Sequence, residues 1–112
     1  MEIDKINNLL ELFYNQYQKQ NNKNIFLQSL KKSSIKYSWE DVYLNINKLS
    51  EEISKHIKKG DRCLLISENR PEWLISDLSI MLSKGITVPA YTTYTERDYE
   101  YIIEDCTPTI II

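Results

Sequence analysis

Residues 62–89 have the sequence RCLLISENRPEWLISDLSIMLSKGITVP, in which a short apolar run precedes a helical pattern and a second short apolar run follows it. The first run, residues 63–66, is typical of a parallel strand that is buried on both faces. Gly85 is expected to end the helix, and residues 86–89 form the next strand. This order predicts a β-α-β unit with a right-handed crossover. The helix has apolar residues three or four positions apart, namely Leu74, Leu78, Met81 and Leu82.

Helix-capping patterns extend this unit toward the C-terminus. Asn69 with Glu72 three residues later predicts a capping box, and Pro71 falls in the first turn, where proline is tolerated. Thr95 with Asp98 predicts a second capping box for a following helix. The residues of that helix that we expect to face the sheet are Tyr99, Ile102 and Ile103.

The N-terminal half of the sequence predicts two amphipathic helices. The first has Asp4 as a candidate N-cap, and its apolar face contains Ile6, Leu9, Leu10, Phe13 and Tyr17. The second begins at a capping box formed by Ser38 and Asp41 and continues to Gly60. Its apolar stripe consists of Val42, Ile46, Leu49, Ile53 and Ile57.

Short strand candidates complete the predicted fold. Residues 25–30 and 35–37 are expected to pair across a polar turn at residues 31–34, and residues 109–112 begin a last parallel strand. The predicted fold class is α/β, with an N-terminal helix and a short strand pair followed by β-α-β-α-β. Because the last apolar strand would leave an exposed sheet edge, we expect an incomplete part of a larger parallel-sheet domain, truncated at the C-terminal end.

Length and composition restrict the class of protein. The chain has 112 residues, of which 42% are hydrophobic, and a formal net charge of -2. This length favours a single core, and the charge disfavours nucleic acid as a partner. The apolar runs are far shorter than the roughly 20 residues of a membrane-spanning helix, and the charged N-terminus lacks a secretory signal pattern. We therefore expect a cytoplasmic location and leave peripheral contact with a membrane open.

The sequence contains no recognisable catalytic or metal site. Gly60 and Gly85 lie at a helix end and before a strand, and no G-x-G-x-x-G or G-x-x-x-x-G-K-[ST] phosphate loop is present. His56 and Cys106 are expected to have structural roles, and Cys63 is expected to lie in the strand core. Neighbouring charges are expected on solvated faces, namely Glu51-Glu52, Glu96 with Asp98, Glu104-Asp105, Lys31-Lys32 and Lys58-Lys59.

The candidate ligand-binding residues are Tyr91, Thr92 and Thr93. They begin a polar loop that directly follows the second predicted parallel strand. Open α/β sheets bind ligands beyond the carboxyl ends of their strands, so this loop is where a ligand is expected. The tyrosines nearby, Tyr94, Tyr99 and Tyr101, are interpreted mainly as packing residues.

Residues 60–89 resemble AMP-forming acyl-CoA synthetases, most closely their long-chain fatty-acid branch. The resemblance continues upstream in residues 37–41 (YSWED) and downstream in residues 91–95 (YTTYT) and 101–105 (YIIED). It covers most of the chain, which it identifies as the N-terminal portion, residues 1–112, of a large AMP-binding (adenylation) domain.

The resemblance implies a ligase that makes acyl-CoA in two steps. ATP and a fatty acid give an acyl-adenylate and pyrophosphate, and the thiol of coenzyme A (CoA) then displaces AMP; Mg2+ is needed with ATP. In such synthetases the phosphate loop, the adenine motif, the ribose-binding aspartate and the mobile lysine lie downstream of the matching segment. No catalytic or metal-binding residue is therefore assigned here, and we expect the isolated chain to bind none of these cofactors and to be inactive.

The resemblance assigns Tyr91, Thr92 and Thr93 to the side of a channel that admits the pantetheine arm of CoA. Asn69 and Trp73 belong to its most recognisable residues, and we interpret them as a helix cap and a packing aromatic. The implied partners are a fatty acid, ATP, CoA and the remainder of the same adenylation domain. The resemblance also allows a homodimer through the N-terminal domain.

A second hypothesis belongs to a different class. A small flavodoxin-like or receiver-like α/β module would bind a partner and catalyse nothing. A receiver would show clustered acidic residues at strand ends and a later lysine, which this sequence lacks.

Overall fold

Helices and strands follow the predicted order in the computed structural model, which describes residues 7–30 and 35–112. Asp4, Ile6 and the predicted turn at residues 31–34 lie outside the described residues. The α/β class is confirmed. The elements are α1 (Leu9–Lys19), β1 (Ile25–Gln28), β2 (Lys36–Ser38), α2 (Trp39–Ile53), β3 (Arg62–Ile66), α3 (Pro71–Leu82), β4 (Ile86–Ala90), α4 (Glu96–Cys106) and β5 (Ile110–Ile111).

β3 is the middle strand of a three-stranded parallel sheet with the order β4-β3-β5. Leu64 of β3 pairs with Val88 on one side and with Ile111 on the other. Cys63 and Leu64 are both 0% exposed although they point to opposite faces. The prediction of a strand buried on both faces is therefore confirmed.

The N-terminal elements pack against α2 and α3, outside the main sheet. α1 begins after Asn8, whose side chain accepts a hydrogen bond of 2.8 Å from the Glu11 N–H. β1 and β2 pair antiparallel, and their register shifts between Ile25 and Leu27. A register shift of this kind bends a strand, which suits a short pair that lies outside the main sheet.

Two of the predicted capping boxes are present. The Ser38 hydroxyl accepts from the Asp41 N–H at 3.0 Å, and the Asp41 carboxylate accepts from the Ser38 N–H at 2.9 Å. The same reciprocal pair joins Thr95 and Asp98 at the start of α4. Both pairs satisfy N–H groups that the first turn of a helix leaves without partners.

The capping box predicted for Asn69 and Glu72 is wrong. α3 begins at Pro71, and its N-cap is Arg70, which has extended backbone. An Asn69 cap would make Arg70 the first helical residue, and helical backbone is disfavoured directly before proline. The Glu72 carboxylate instead accepts hydrogen bonds of 3.2 Å from the Arg70 Nε and 3.2 Å from the Tyr37 hydroxyl. Glu72 thereby connects β2 to the start of α3.

Stacked aromatic rings attach α1 and the strand pair to α2. The Phe26 and Trp39 ring centroids lie 3.9 Å apart, and those of Tyr17 and Tyr43 lie 4.5 Å apart, with nearly parallel planes. Phe13 is buried beside Trp39, at a centroid distance of 5.8 Å. Aromatic pairs contribute about 0.5–1.5 kcal/mol each beyond the burial of their area.

More of the surface of α3 is buried than the predicted apolar stripe covers. Ile75 and Leu78 join a cluster with α1 and α2, whereas Ile80 joins a second cluster with Cys63 of β3. Ser79 is 0% exposed, and its hydroxyl donates to the carbonyl of Ile75 at 2.6 Å. This hydrogen bond keeps a buried polar group satisfied.

α3 ends in a Schellman motif. The Gly85 N–H donates to the Ile80 carbonyl and the Lys84 N–H to the Met81 carbonyl, both at 3.0 Å. The left-handed residue of the motif is Lys84, with φ 66°, where glycine is usual. Gly85, predicted to end the helix, is needed for space instead, since a Cβ there would lie 2.9 Å from the Ile57 Cδ1.

α4 packs less closely than predicted. Tyr99 and Ile102 are half-buried, but Ile103 is 39% exposed, so its predicted inward position is wrong. The helix is held at its C-terminal end, where the Arg62 Nε donates to the Cys106 carbonyl at 2.8 Å. Its attachment to the sheet therefore depends on this hydrogen bond as well as on apolar packing.

β4 is an outer strand of the described sheet. The Ile86 N–H donates to the Asp61 carbonyl at 2.8 Å, so alternate residues of β4 direct their N–H groups toward β3. Pro89 has no N–H, and this alternation places it at a position that faces away from β3. A proline at such a position removes no hydrogen bond from the sheet.

We expect Gly85→Ala to lower the free energy of unfolding by about 1–3 kcal/mol, because the added methyl group would overpack the contact with Ile57 and Ile80. Denaturant unfolding followed by circular dichroism measures this change. Lys84→Gly is the matched variant, and it should raise the free energy of unfolding by up to about 1 kcal/mol, since glycine adopts left-handed backbone without strain. An equal decrease in the free energy of unfolding in both variants would contradict the assignment of Lys84 as the left-handed residue and of Gly85 as the close contact.

We also expect part of the acid sensitivity of folding to come from Glu72. The hydrogen bond from Arg70 lowers the pKa of the Glu72 carboxyl below its ordinary value of 4.5. A carboxyl with a lowered pKa stabilises the folded chain above that ordinary value, and the stabilisation is lost as the pH falls further. Between about pH 6 and pH 3, Glu72→Gln should therefore lose less stability than the parent chain. Glu100→Gln, on the exposed side of α4, is the control; an equal effect there would refute the assignment.

Candidate functional site

A cleft of about 690 Å³ opens at the carboxyl ends of β3 and β4. Because these strands are parallel neighbours, the loops that follow them meet at the same sheet edge. One wall comes from the loop after β3 and the start of α3, and the other from the end of β4 and the loop after it. The lining residues are Ser67, Glu68, Asn69, Trp73, Pro89, Ala90, Tyr91, Thr92, Thr93 and Tyr94.

The three residues predicted to bind a ligand all lie in this cleft. Tyr91, Thr92 and Thr93 are exposed on its wall. Their loop is held in place by tyrosines, since the Tyr99 hydroxyl and the Tyr94 N–H both donate to the Tyr91 carbonyl. The Tyr94 ring is perpendicular to that of Tyr91 at a centroid distance of 5.4 Å. The start of α4 therefore fixes the loop against the cleft.

The opposite wall contains residues that sequence reasoning did not assign to ligand binding. Asn69, predicted to be a helix cap, and Trp73, predicted to be a packing aromatic, both line the cleft. The Asn69 side chain has no capping role, because Arg70 is the N-cap of α3. The signal that would have identified them is their position just after β3, since ligands bind where neighbouring strands end.

The cleft presents neutral hydrogen-bonding groups beside aromatic surfaces. The Thr92 and Thr93 hydroxyls and the Asn69 amide can each donate and accept hydrogen bonds. Trp73 adds a flat apolar surface. Glu68 is the lining residue that carries a charge at neutral pH, and a negative charge repels phosphate. The arrangement therefore suits a polar ligand that carries no negative charge where it contacts the cleft.

A second cleft, of about 640 Å³, adjoins the first. It shares Glu68, Asn69 and Trp73 and continues toward the strand pair, where Leu27 and Leu30 line it. A third cleft, of about 260 Å³, lies between α1, α2 and α3 and is lined almost entirely by apolar side chains. Among the residues that the structure describes, no histidine, cysteine or lysine lines either cleft.

The residues predicted to be structural lie away from the main cleft. His56 is exposed, with its Nε2 3.5 Å from the Glu52 carboxylate. Cys63 is buried in β3, and this burial, together with the charge of Asp61, raises the pKa of its thiol. Cys106 is half-buried at the end of α4. In the described part of the chain, no three histidine, cysteine, aspartate or glutamate side chains are grouped as a metal site requires.

Curated proteins with similar sequences are fatty-acid ligases. The long-chain-fatty-acid–CoA ligase FadD15 of Mycobacterium tuberculosis is 30% identical over 59 residues, which are 53% of this chain and 10% of that protein. The long-chain-fatty-acid–CoA ligase of Bacillus subtilis is 30% identical over 78 residues, which are 69% of this chain and 14% of that protein. The matched segments thus span only a small part of these relatives.

Solved structures share the fold over a longer stretch. The anthranilate CoA ligase AuaEII, solved in complex with anthranoyl-AMP, superposes on 99% of this chain and 22% of its own with a TM-score of 0.83. The sequence identity is 19%, so the likeness concerns the fold. It confirms the predicted α/β architecture.

The family model described as AMP-binding enzyme matches residues 13–112. The match contains all five strands, the main cleft and the loop of Tyr91, Thr92 and Thr93. Since it extends over nearly the whole sequence, this chain belongs to the AMP-binding enzyme family.

Proposed function

We propose that the chain is the N-terminal portion of the large adenylation domain of a long-chain fatty-acid CoA ligase. The names of the curated relatives support the fatty-acid substrate. In the proposed reaction, a fatty acid and ATP give an acyl-adenylate and pyrophosphate. The sulfur of CoA then forms a bond to the acyl carbon, the bond from that carbon to the AMP oxygen breaks, and the thiol proton is released.

The proposed role of this segment rests on the neutral hydrogen-bonding groups of the cleft beside Thr92 and Thr93. The pantetheine arm of CoA is a long, uncharged chain with amide groups along it. Threonine hydroxyls can hydrogen-bond such amides, and Asn69 on the facing wall can donate to one and accept from it. The proposed role is to position the thiol arm, which lowers the entropic cost of the second step without any catalytic group in this segment.

ATP and Mg2+ do not fit the same cleft. Phosphate sites use backbone N–H groups of a glycine loop or cationic side chains, and here the lining contributes the carboxylate of Glu68. Mg2+ would need carboxylates together with the ATP phosphates. We therefore assign ATP and Mg2+ to parts of the proposed enzyme outside this segment.

We expect Thr93→Trp, made in the ligase that contains this segment, to raise the Michaelis constant for CoA about tenfold, since a large ring would block the cleft. Adenylation, followed by ATP–pyrophosphate exchange without CoA, should stay within about twofold of the parent enzyme. Thr109→Trp, at the opposite end of the sheet, is the matched control. An unchanged Michaelis constant for CoA in Thr93→Trp would refute the assignment.

We further expect the 112-residue chain alone to catalyse no ATP–pyrophosphate exchange with palmitate and Mg2+. The physical reason is that phosphoryl and adenylyl transfer depend on positioned cations and N–H donors, which the sequence does not supply as a recognisable loop. Exchange above the level of a heat-denatured sample would contradict this expectation. It would also indicate that ATP binds within this segment, and the described cleft would then be the candidate nucleotide site.

A further inference from the structure

Thr92 and Thr93 are the two central residues of a β-turn in the wall of the main cleft. The Tyr94 N–H closes this turn by donating to the Tyr91 carbonyl at 3.3 Å, which is longer than the usual distance of about 2.9–3.0 Å. Threonine is not among the residues that dominate turns, which are glycine, proline, asparagine, aspartate and serine. The sequence of the turn and its own hydrogen bond therefore do little to fix the two threonines.

The Tyr99 side chain adds a constraint that the turn itself lacks. Its hydroxyl donates to the same Tyr91 carbonyl that accepts from the closing N–H of the turn. A carbonyl oxygen has two lone pairs, and here each has a donor. A hydroxyl carried by α4 thus reaches back eight residues along the chain and holds the first residue of the turn.

The first turn of α4 gives Tyr99 a firm base. Tyr99 directly follows Asp98, which forms the capping box with Thr95, and its own N–H donates to the Thr95 carbonyl at 3.1 Å. The Tyr99 ring is half-buried, and its centroid lies 5.9 Å from that of the Tyr94 ring. Since both the backbone and the ring are held, the hydroxyl has a defined position from which to fix the turn.

Tyr99 acts on the cleft from outside, because it is not one of the lining residues. On its side of the cleft the lining ends at Tyr94, and Asn69 and Trp73 form the facing wall. The separation of the two walls at the threonines therefore depends on where the turn lies. A small displacement of groups that orient a substrate lowers the rate of the reaction they support.

We propose that Tyr99 is a positioning residue for the pantetheine arm of CoA. Its hydroxyl holds the turn so that the hydroxyls of Thr92 and Thr93 face the arm. The proposal rests on the function proposed above, in which the arm occupies the cleft. It adds a residue that acts through the turn and touches neither CoA nor the acyl group.

The test is Tyr99→Phe in the ligase that contains this segment, since phenylalanine keeps the ring and removes only the hydroxyl. We expect the Michaelis constant for CoA to rise about fivefold, the effect of losing one hydrogen bond. The same factor is expected with pantetheine as the thiol, because the nucleotide part of CoA is not involved. The kcat at saturating CoA and ATP–pyrophosphate exchange without CoA should stay within about twofold of the parent enzyme, whereas a general loss of structure would lower both.

Tyr43→Phe is the matched control. It removes a hydroxyl from another half-buried tyrosine, whose ring stacks on that of Tyr17 and does not line the cleft. The Michaelis constant for CoA should stay within about twofold of the parent value. An equal rise in both variants, an effect with CoA that is lost with pantetheine, or a loss of adenylation in Tyr99→Phe would overturn the proposal.

Hydrogen exchange tests the role of Tyr99 without any reaction. In the 112-residue chain, Tyr99→Phe should speed exchange of the Tyr94 amide several-fold, as measured by NMR, because the acceptor of that amide is no longer held. Unchanged exchange would overturn the proposal whether or not the proposed function holds. In the ligase, a raised Michaelis constant for CoA in Thr93→Trp with no change in Tyr99→Phe overturns the role of Tyr99 alone. No change in either variant overturns the proposed function as well.

Discussion

The burial of β3 on both faces is the constraint on which the rest of the structure depends. Cys63 and Leu64 point to opposite faces and are both fully buried, so helices must cover each side of the sheet. β4 lies on one side of β3 and β5 lies on the other, so the connections β3–β4 and β4–β5 cross the sheet in opposite directions. Right-handed crossovers therefore put α3 and α4 on opposite faces. The same parallel pairing brings the loops after the strands together at one edge, as the cleft, and the loops before β3 and β4 together at the other edge.

Local patterns were sufficient to predict the order of the elements, because strand burial and helical periodicity are visible in short windows of sequence. The predicted end of the second helix at Gly60 is wrong, since α2 ends at Ile53. They failed where two local rules competed, at the start of α3: the capping pattern favoured Asn69, whereas the proline at position 71 required extended backbone at Arg70. They also failed for α4, since a periodic pattern identifies the apolar face of a helix but does not say how much of that face a neighbour covers. One wall of the cleft, the loop after β4, was predicted. Asn69 and Trp73 were missed because their role depends on two loops that are distant in sequence and meet only in the fold.

Topology alone does not separate the two functional hypotheses. The order β4-β3-β5 places the first parallel strand between the second and the third, as at the start of flavodoxin-like sheets. The match of residues 13–112 to the AMP-binding enzyme family favours the first hypothesis over the flavodoxin-like or receiver-like module. Within that family, the chemistry of the described cleft is consistent with a supporting role: it offers hydroxyls, an amide and aromatic rings, and it lacks the cations that a triphosphate requires.

Pro89 affects which edge of the sheet pairs more readily with a further strand. Its ring occupies one of the outward-facing positions of β4, so a strand approaching from that side would find a missing donor in the middle of the ladder. Ile112, by contrast, exchanges backbone hydrogen bonds with Leu64 and Ile66 of β3, each at 2.8 Å, and the outer side of this strand contains no proline. A further strand would therefore pair less favourably with the outer side of β4 than with the outer side of β5. One imino ring thus makes the two edges of the sheet unequal as templates for another strand, from the same polypeptide or from a neighbouring molecule.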